Sequence, residues 1–155
     1  MSDATFVPVT LESFRDILVE AGLEGTRIEE ERGCVTFDYA GDNGPLRMSV
    51  IPGKVSPEEE PWFARFISYS LTFEPIKAGV PRGRLLDWLN EKNADVFFGR
   101  FYHDDKTDTV VFEVSMPCGG GVNSQDFIRL AQIALLFVDR IHKELKDLAP
   151  TDVDA

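Results

Sequence analysis

Apolar positions along this chain repeat at helical spacing in some stretches and alternate strictly in others. Leu11, Phe14, Leu18 and Ala21 share one helical face, with Thr10 placed to cap the start and Gly22 placed to end it. From Arg27 the period changes to two. Val35, Phe37 and Tyr39 alternate, the turn-rich GDNGP from Gly41 to Pro45 follows, and Leu46, Met48 and Val50 alternate again, which predicts an antiparallel hairpin. PGKVSPEEEP, from Pro52 to Pro61, predicts an exposed connection or bulged edge. Phe63 to Phe73 predicts a third strand, with Phe66, Leu71 and Phe73 as core candidates. Leu85, Trp88 and Leu89 predict a short second helix with Pro81 in its first turn. Val96 to Tyr102 and VVFEVSM then form a second hairpin about the acidic turn Asp104 to Thr109. From Ser124 to about Leu148, Phe127, Leu130, Ala131, Ala134, Phe137, Val138, Ile141 and Leu145 keep helical spacing.

The order α-β-β-β-α-β-β-α, with short connections between neighbouring strands, predicts an α+β fold in which helices pack on an antiparallel sheet. One domain is expected over 10–148, with flexible tails at 1–9 and 149–155. Ile133, Leu135 and Leu136 widen the apolar stripe of the last helix beyond one face. Either that helix is central and covered from both sides, or the excess is a dimer seam, because large apolar patches are rare on monomers.

Charge and cysteine content narrow the function classes. Acidic residues outnumber basic ones by 27 to 16, giving a formal net charge of -11, which opposes nucleic acid and anionic membranes as partners. No signal-like segment or membrane-length apolar run is present, so a cytoplasmic location is expected. Cys34 and Cys118 are too few for a disulfide framework and are expected to be reduced.

The candidate chemistry is thin. Three glycines in CGGGVNS sit between a strand and a helix, as in phosphate-binding loops, but no Lys follows and the spacing fits no dinucleotide fingerprint. The same residues serve as a tight exit in which Val122 acts as a hydrophobic staple and Asn123 or Ser124 caps the helix. His103, Asp104 and Asp105, with Asp108 nearby, offer imidazole and carboxylate ligands without EF-hand spacing. His142 has no second His four residues away and reads as a surface residue. The glutamate runs Glu29 to Glu31 and Glu58 to Glu60 read as solvated faces. No cofactor or metal is expected.

The run LLDWLNEKNADVFFGRFYHDDKTDTVVFEVSMPCGGGV resembles the YbjN family, labelled bacterial sensory transduction regulators. The resemblance rests on Asn90 and Asn93 in a helix, on the acidic turn from Asp104 to Asp108, and on Gly120, Gly121 and Val122 before a long helix. It covers Leu85 to Leu145, while Cys118, the GDNGP turn and the PEEEP loop depart from the family pattern. It implies a fold similar to type III secretion chaperones, no catalytic residues, and homodimers that hold extended segments of another protein on sheet or helix faces. The expectation is therefore a non-enzymatic regulatory or protein-binding module, a homodimer, with Trp88, Phe127, Leu135, Leu136 and Phe137 as partner or dimer contacts. Two alternatives stay open: an enzymatic or metal-binding domain using His103, Asp104 and Asp105 with Cys118, and a small-molecule sensor with its ligand near Trp88.

Overall fold

The structure, a computed structural model, describes residues 6–151. Its elements are β1 (Phe6–Val7), α1 (Leu11–Glu20), β2 (Arg27–Glu29), a 3-10 turn (Glu30–Arg32), β3 (Cys34–Gly41), β4 (Gly44–Gly53), β5 (Phe63–Ser70), α2 (Arg82–Asp95), β6 (Arg100–Asp104), β7 (Thr109–Pro117), β8 (Val122–Asn123) and α3 (Ser124–Asp147). Six strands form one antiparallel sheet in the order β2-β3-β4-β5-β7-β6. β1 and β8 form a separate two-stranded ribbon.

Alternation sorts the sheet into two faces. Val35, Phe37, Met48, Val50, Phe66, Phe112 and Val114 lie on one face and are buried with Phe14 and Leu18 of α1 and with Phe127, Ala131, Ala134 and Val138 of α3. Phe127 packs against Phe14 and Phe66 with ring centroids at 5.0 and 4.9 Å, so it joins both helices to the sheet. Residues between these on the strands point to the opposite face, where charges pair across strands: Arg47 with Asp38, and Arg65 and Arg100 with Glu113. The helix-packed face thus holds the apolar half of each strand.

Local chemistry sets the helix ends. Thr10 accepts the N–H of Ser13 and starts α1, and Gly22, at φ +87°, ends it while the N–H of Leu23 bonds the carbonyl of Leu18. Asn123 accepts the N–H groups of Gln125 and Asp126 and starts α3.

Several expectations are corrected. Phe6–Val7 pairs with Val122–Asn123, so the inner end of the expected N-terminal tail belongs to the fold. The approach is close: a Cβ on Gly121, at φ +112°, would sit 3.0 Å from the carbonyl oxygen of Val7. Val122 is a strand residue as well as the one before the N-cap of α3, and it is fully buried in the same core cluster as Phe127 of the first turns of that helix. At the other end Ala149 packs on the core, while 1–5 and 152–155 lie outside the described residues. Pro81 is the N-cap of α2, with extended backbone, and not its first helical residue. The strand expected from Val96 begins only at Arg100, because Val96 to Gly99 turn the chain away from α2. The third strand stops at Ser70, leaving Leu71 exposed. Tyr39 faces the helix side yet is 42% exposed, because it borders an open groove.

Candidate functional site

The groove beside Tyr39 lies between α1 and α3. Leu18 and Ala21 at the end of α1, with Leu23 just after it, form one wall, and Ile128, Ala131, Gln132, Leu135 and Leu136 of α3 form the other. Tyr39 of β3 and two carboxylates, Asp42 and Asp139, complete a space of about 350 Å³. Helical periodicity explains the α3 wall: residues 128, 132, 135 and 139 follow one another around the helix beside the core stripe. Leu136 at the rim is 50% exposed.

One end of the groove is closed by the β3–β4 turn. Asp139, only 8% exposed, accepts the backbone N–H of Asn43 at 2.9 Å, and the Asn43 side-chain amide donates to the Asp139 carbonyl at 3.0 Å. The Lys146 ammonium donates to the Asn43 carbonyl at 3.2 Å. Gly41 permits this docking, since a Cβ there would collide with the Asp139 carboxylate and lie 2.9 Å from the Gly44 carbonyl oxygen. Next to this turn His142 is buried, contrary to its reading as a surface residue. Its Nε2 lies 3.1 Å from the Ser70 hydroxyl, its ring packs on Phe73, and Nδ1 has no hydrogen-bond partner among the described residues. Burial pushes its pKa below the ordinary value, with Lys146 acting the same way and Asp139 opposing.

The His103 cluster is assembled, but as a brace. Arg82 of α2 holds Asp105 through two bonds of 2.7 and 3.2 Å, and its guanidinium keeps that carboxyl below the usual range. His103 Nδ1 is 3.1 Å from Asp105 and its Nε2 is 2.8 Å from Asp108. Asp108, at φ +49°, also accepts the N–H groups of Ile76 and Lys77. Burial would raise the Asp108 pKa, but the N–H of Lys77, His103 and the N–H of Ile76 outweigh it and hold it low. Both ring nitrogens of His103 are thereby engaged, tying the β6–β7 turn to the loop before α2. Asp104 turns away and accepts the N–H of Lys106. Among the described residues no group of three His, Cys, Asp or Glu side chains is arranged to hold a metal ion. Cys118 lies elsewhere, beside the glycine loop, and burial raises the pKa of both its thiol and that of Cys34.

The expected contact residues divide. Trp88, Phe127 and Leu135 are buried in the monomer, so the first two are core and Leu135 meets solvent only through the groove. The Lys92 ammonium lies 5.7 Å from the Trp88 ring, and the groove is on another part of the molecule. Leu136 is exposed, and Phe137 is half-buried beside Phe112 and Phe98. Phe98 adjoins Phe97, whose side chain is fully exposed. Of the motif asparagines, Asn90 is exposed, whereas Asn93 donates to the Phe101 carbonyl at 2.9 Å and accepts the Phe101 N–H at 2.7 Å. Asn93 thus acts as a one-residue partner for β6 at the edge of the sheet.

Asp42, Asn43 and Asp139 were not among the residues expected to matter. A signal existed for Asp139: it falls between Leu135, Val138 and His142 in the buried stripe of α3, where a carboxylate is out of place.

No curated protein matches the chain. The crystal structure of YbjN from E. coli aligns with a TM-score of 0.61 at 15% identity, covering 90% of this chain and 93% of that one, which shows a shared fold. The model of the YbjN family, described as "Putative bacterial sensory transduction regulator", matches residues 66–147. That span runs from β5 to the end of α3 and includes Asn90, Asn93, the His103 brace and the glycine loop. It is more than half of the chain, and the chain belongs to the YbjN family.

Proposed function

We propose that this chain is a non-enzymatic regulatory module that works by binding another protein. The observation that carries the reading is the apolar groove of about 350 Å³ left open between α1 and α3, with Leu136 exposed at its rim. Concave apolar surface with a few polar groups at one end is what a helix-in-groove or side-chain anchor site requires. The titratable clusters support the same reading: the His103 group braces two loops, and both thiols are buried with raised pKa values.

Affinity capture from the native host, comparing the wild-type chain with Leu136→Lys, tests it. The expected result is a specific protein retained by the wild type and lost from the variant, whose exposed substitution spares the core. Absence of any specifically retained protein, or a thermal shift with nucleotides or divalent metals, would argue for a different class of function.

A homodimer is part of this proposal. The fully exposed Phe97, with Phe98 and the half-buried Phe137 behind it, forms an aromatic patch next to the last helix. Aromatic residues are enriched at interface centres.

A further inference from the structure

The polar end of the groove carries a specific chemical demand. Asp139 is 92% buried by its 8% exposure, yet among the described residues no ion pair involves it. A buried carboxylate without a cation is costly, and the Asn43 N–H at 2.9 Å and the Asn43 amide at 3.4 Å occupy only part of its acceptor capacity. The adjoining Lys146 ammonium is turned to the Asn43 carbonyl. Asp42, exposed on the same turn, adds a second carboxylate, and no basic residue lines the groove. Apolar walls that lead to two carboxylates are complementary to an apolar body that ends in a cation.

We propose that the groove binds an amphipathic segment of another protein, with apolar side chains along Leu18, Leu23, Ile128 and Leu135 and a Lys or Arg paired with Asp139 and Asp42. This rests on the reading of the chain as a protein-binding module and names the chemistry of the partner. A protein segment is favoured over a free small molecule because the lining runs along α3 from Ile128 to Asp139 and Leu136 extends its apolar wall into solvent. The net charge of -11 draws a basic segment towards the molecule, while the two carboxylates determine where its cation docks.

The test uses labelled synthetic peptides titrated against the full chain at near-physiological salt. One peptide is a short Leu/Lys amphipathic helix, the second has the same pattern in Leu/Glu, and the third is Ser/Lys with the same charge. The expected result is saturable binding of Leu/Lys alone, weakened about tenfold or more in Asp42→Asn/Asp139→Asn, as removal of a buried interfacial charge partner implies. Asn at 139 can still accept the Asn43 N–H, and Leu136→Lys, which leaves the turn intact, gives a second loss. Glu58→Gln/Glu60→Gln, with the same change in charge far from α3 in sequence, should bind as the wild type does.

The proposal is overturned by absence of Leu/Lys binding, by equal binding of Ser/Lys, by an equal loss in the Glu58/Glu60 variant, or by unchanged binding in the Asp42/Asp139 variant. Dodecylammonium binding that equals the peptide and depends on the same carboxylates would overturn it in favour of a small cationic amphiphile. A native partner retained by the Asp42/Asp139 variant would overturn this inference while leaving the protein-binding reading in place.

Discussion

His142 ties one buried side chain to the pH range over which the fold holds. Its ring is 2% exposed and its pKa is lowered, first by burial and then by Lys146, with Asp139 opposing. The unfolded chain therefore takes up the proton first as pH falls, so the contribution of neutral His142 is complete above an ordinary value of about 6.5 and is lost progressively below it. The loss approaches a limit of about 1.4 kcal/mol per pH unit for one site. Urea unfolding from pH 7.5 to 5.5 should show a falling midpoint in the wild type and a flatter profile in His142→Gln. Identical profiles would show that folding does not shift the titration of His142. The depressed carboxyls of Asp38, Asp105 and Glu113 have the same sign at lower pH, since their contribution is lost only as pH falls through the carboxylate range.

Among the elements, β6 has the most exposed problem to solve. It is an outer strand of the six-stranded sheet, and an open edge invites pairing with another chain. Asn93 answers both the N–H and the carbonyl of Phe101, which is why an asparagine near the end of α2 stabilises a strand that follows it. Asn93→Leu should cost about 1–3 kcal/mol, the usual penalty when half-buried polar groups lose their partners. Asn93→Asp should also destabilise, because it keeps an acceptor for the N–H but sets a carboxylate against the Phe101 carbonyl. Chemical denaturation measures both, and light scattering should show more association in Asn93→Leu as the edge is freed. A stability equal to wild type in both variants would remove this role. The sequence marked Asn93 as a family position, but its work became visible only once α2 and β6 were adjacent.

For the whole molecule the proposed dimer joins the aromatic patch of Phe97, Phe98 and Phe137 to its own copy. Light scattering at tens of micromolar should give twice the chain mass for the wild type and the single-chain mass for Phe97→Ser. Since Phe97 is fully exposed, Phe97→Ser should leave the unfolding midpoint of a monomer unchanged. A single-chain mass for the wild type would end the dimer proposal and leave the groove unaffected, because Phe97 does not line it.

The sequence by itself determined the three helices, the hairpins at GDNGP and at the acidic turn, the cap at Thr10 and the α+β class, because these follow from local periodicity, turn chemistry and backbone freedom, while the structure chose Asn123 over Ser124 as the cap of α3. Short elements were not legible: β1, β2 and β8 have two or three residues each, too few to show a period, and β1 exists only because β8 lies beside it. Tertiary structure decided which apolar residues became core and which became surface. Leu135 and Leu136 both widen the apolar stripe of α3, yet packing leaves one 6% and the other 50% exposed. It also placed Asp42, Asn43 and Asp139 together across 96 residues between Asn43 and Asp139, a juxtaposition that no local pattern encodes. Periodicity fixes the direction of a side chain on its own element; what it meets depends on packing between elements distant in sequence.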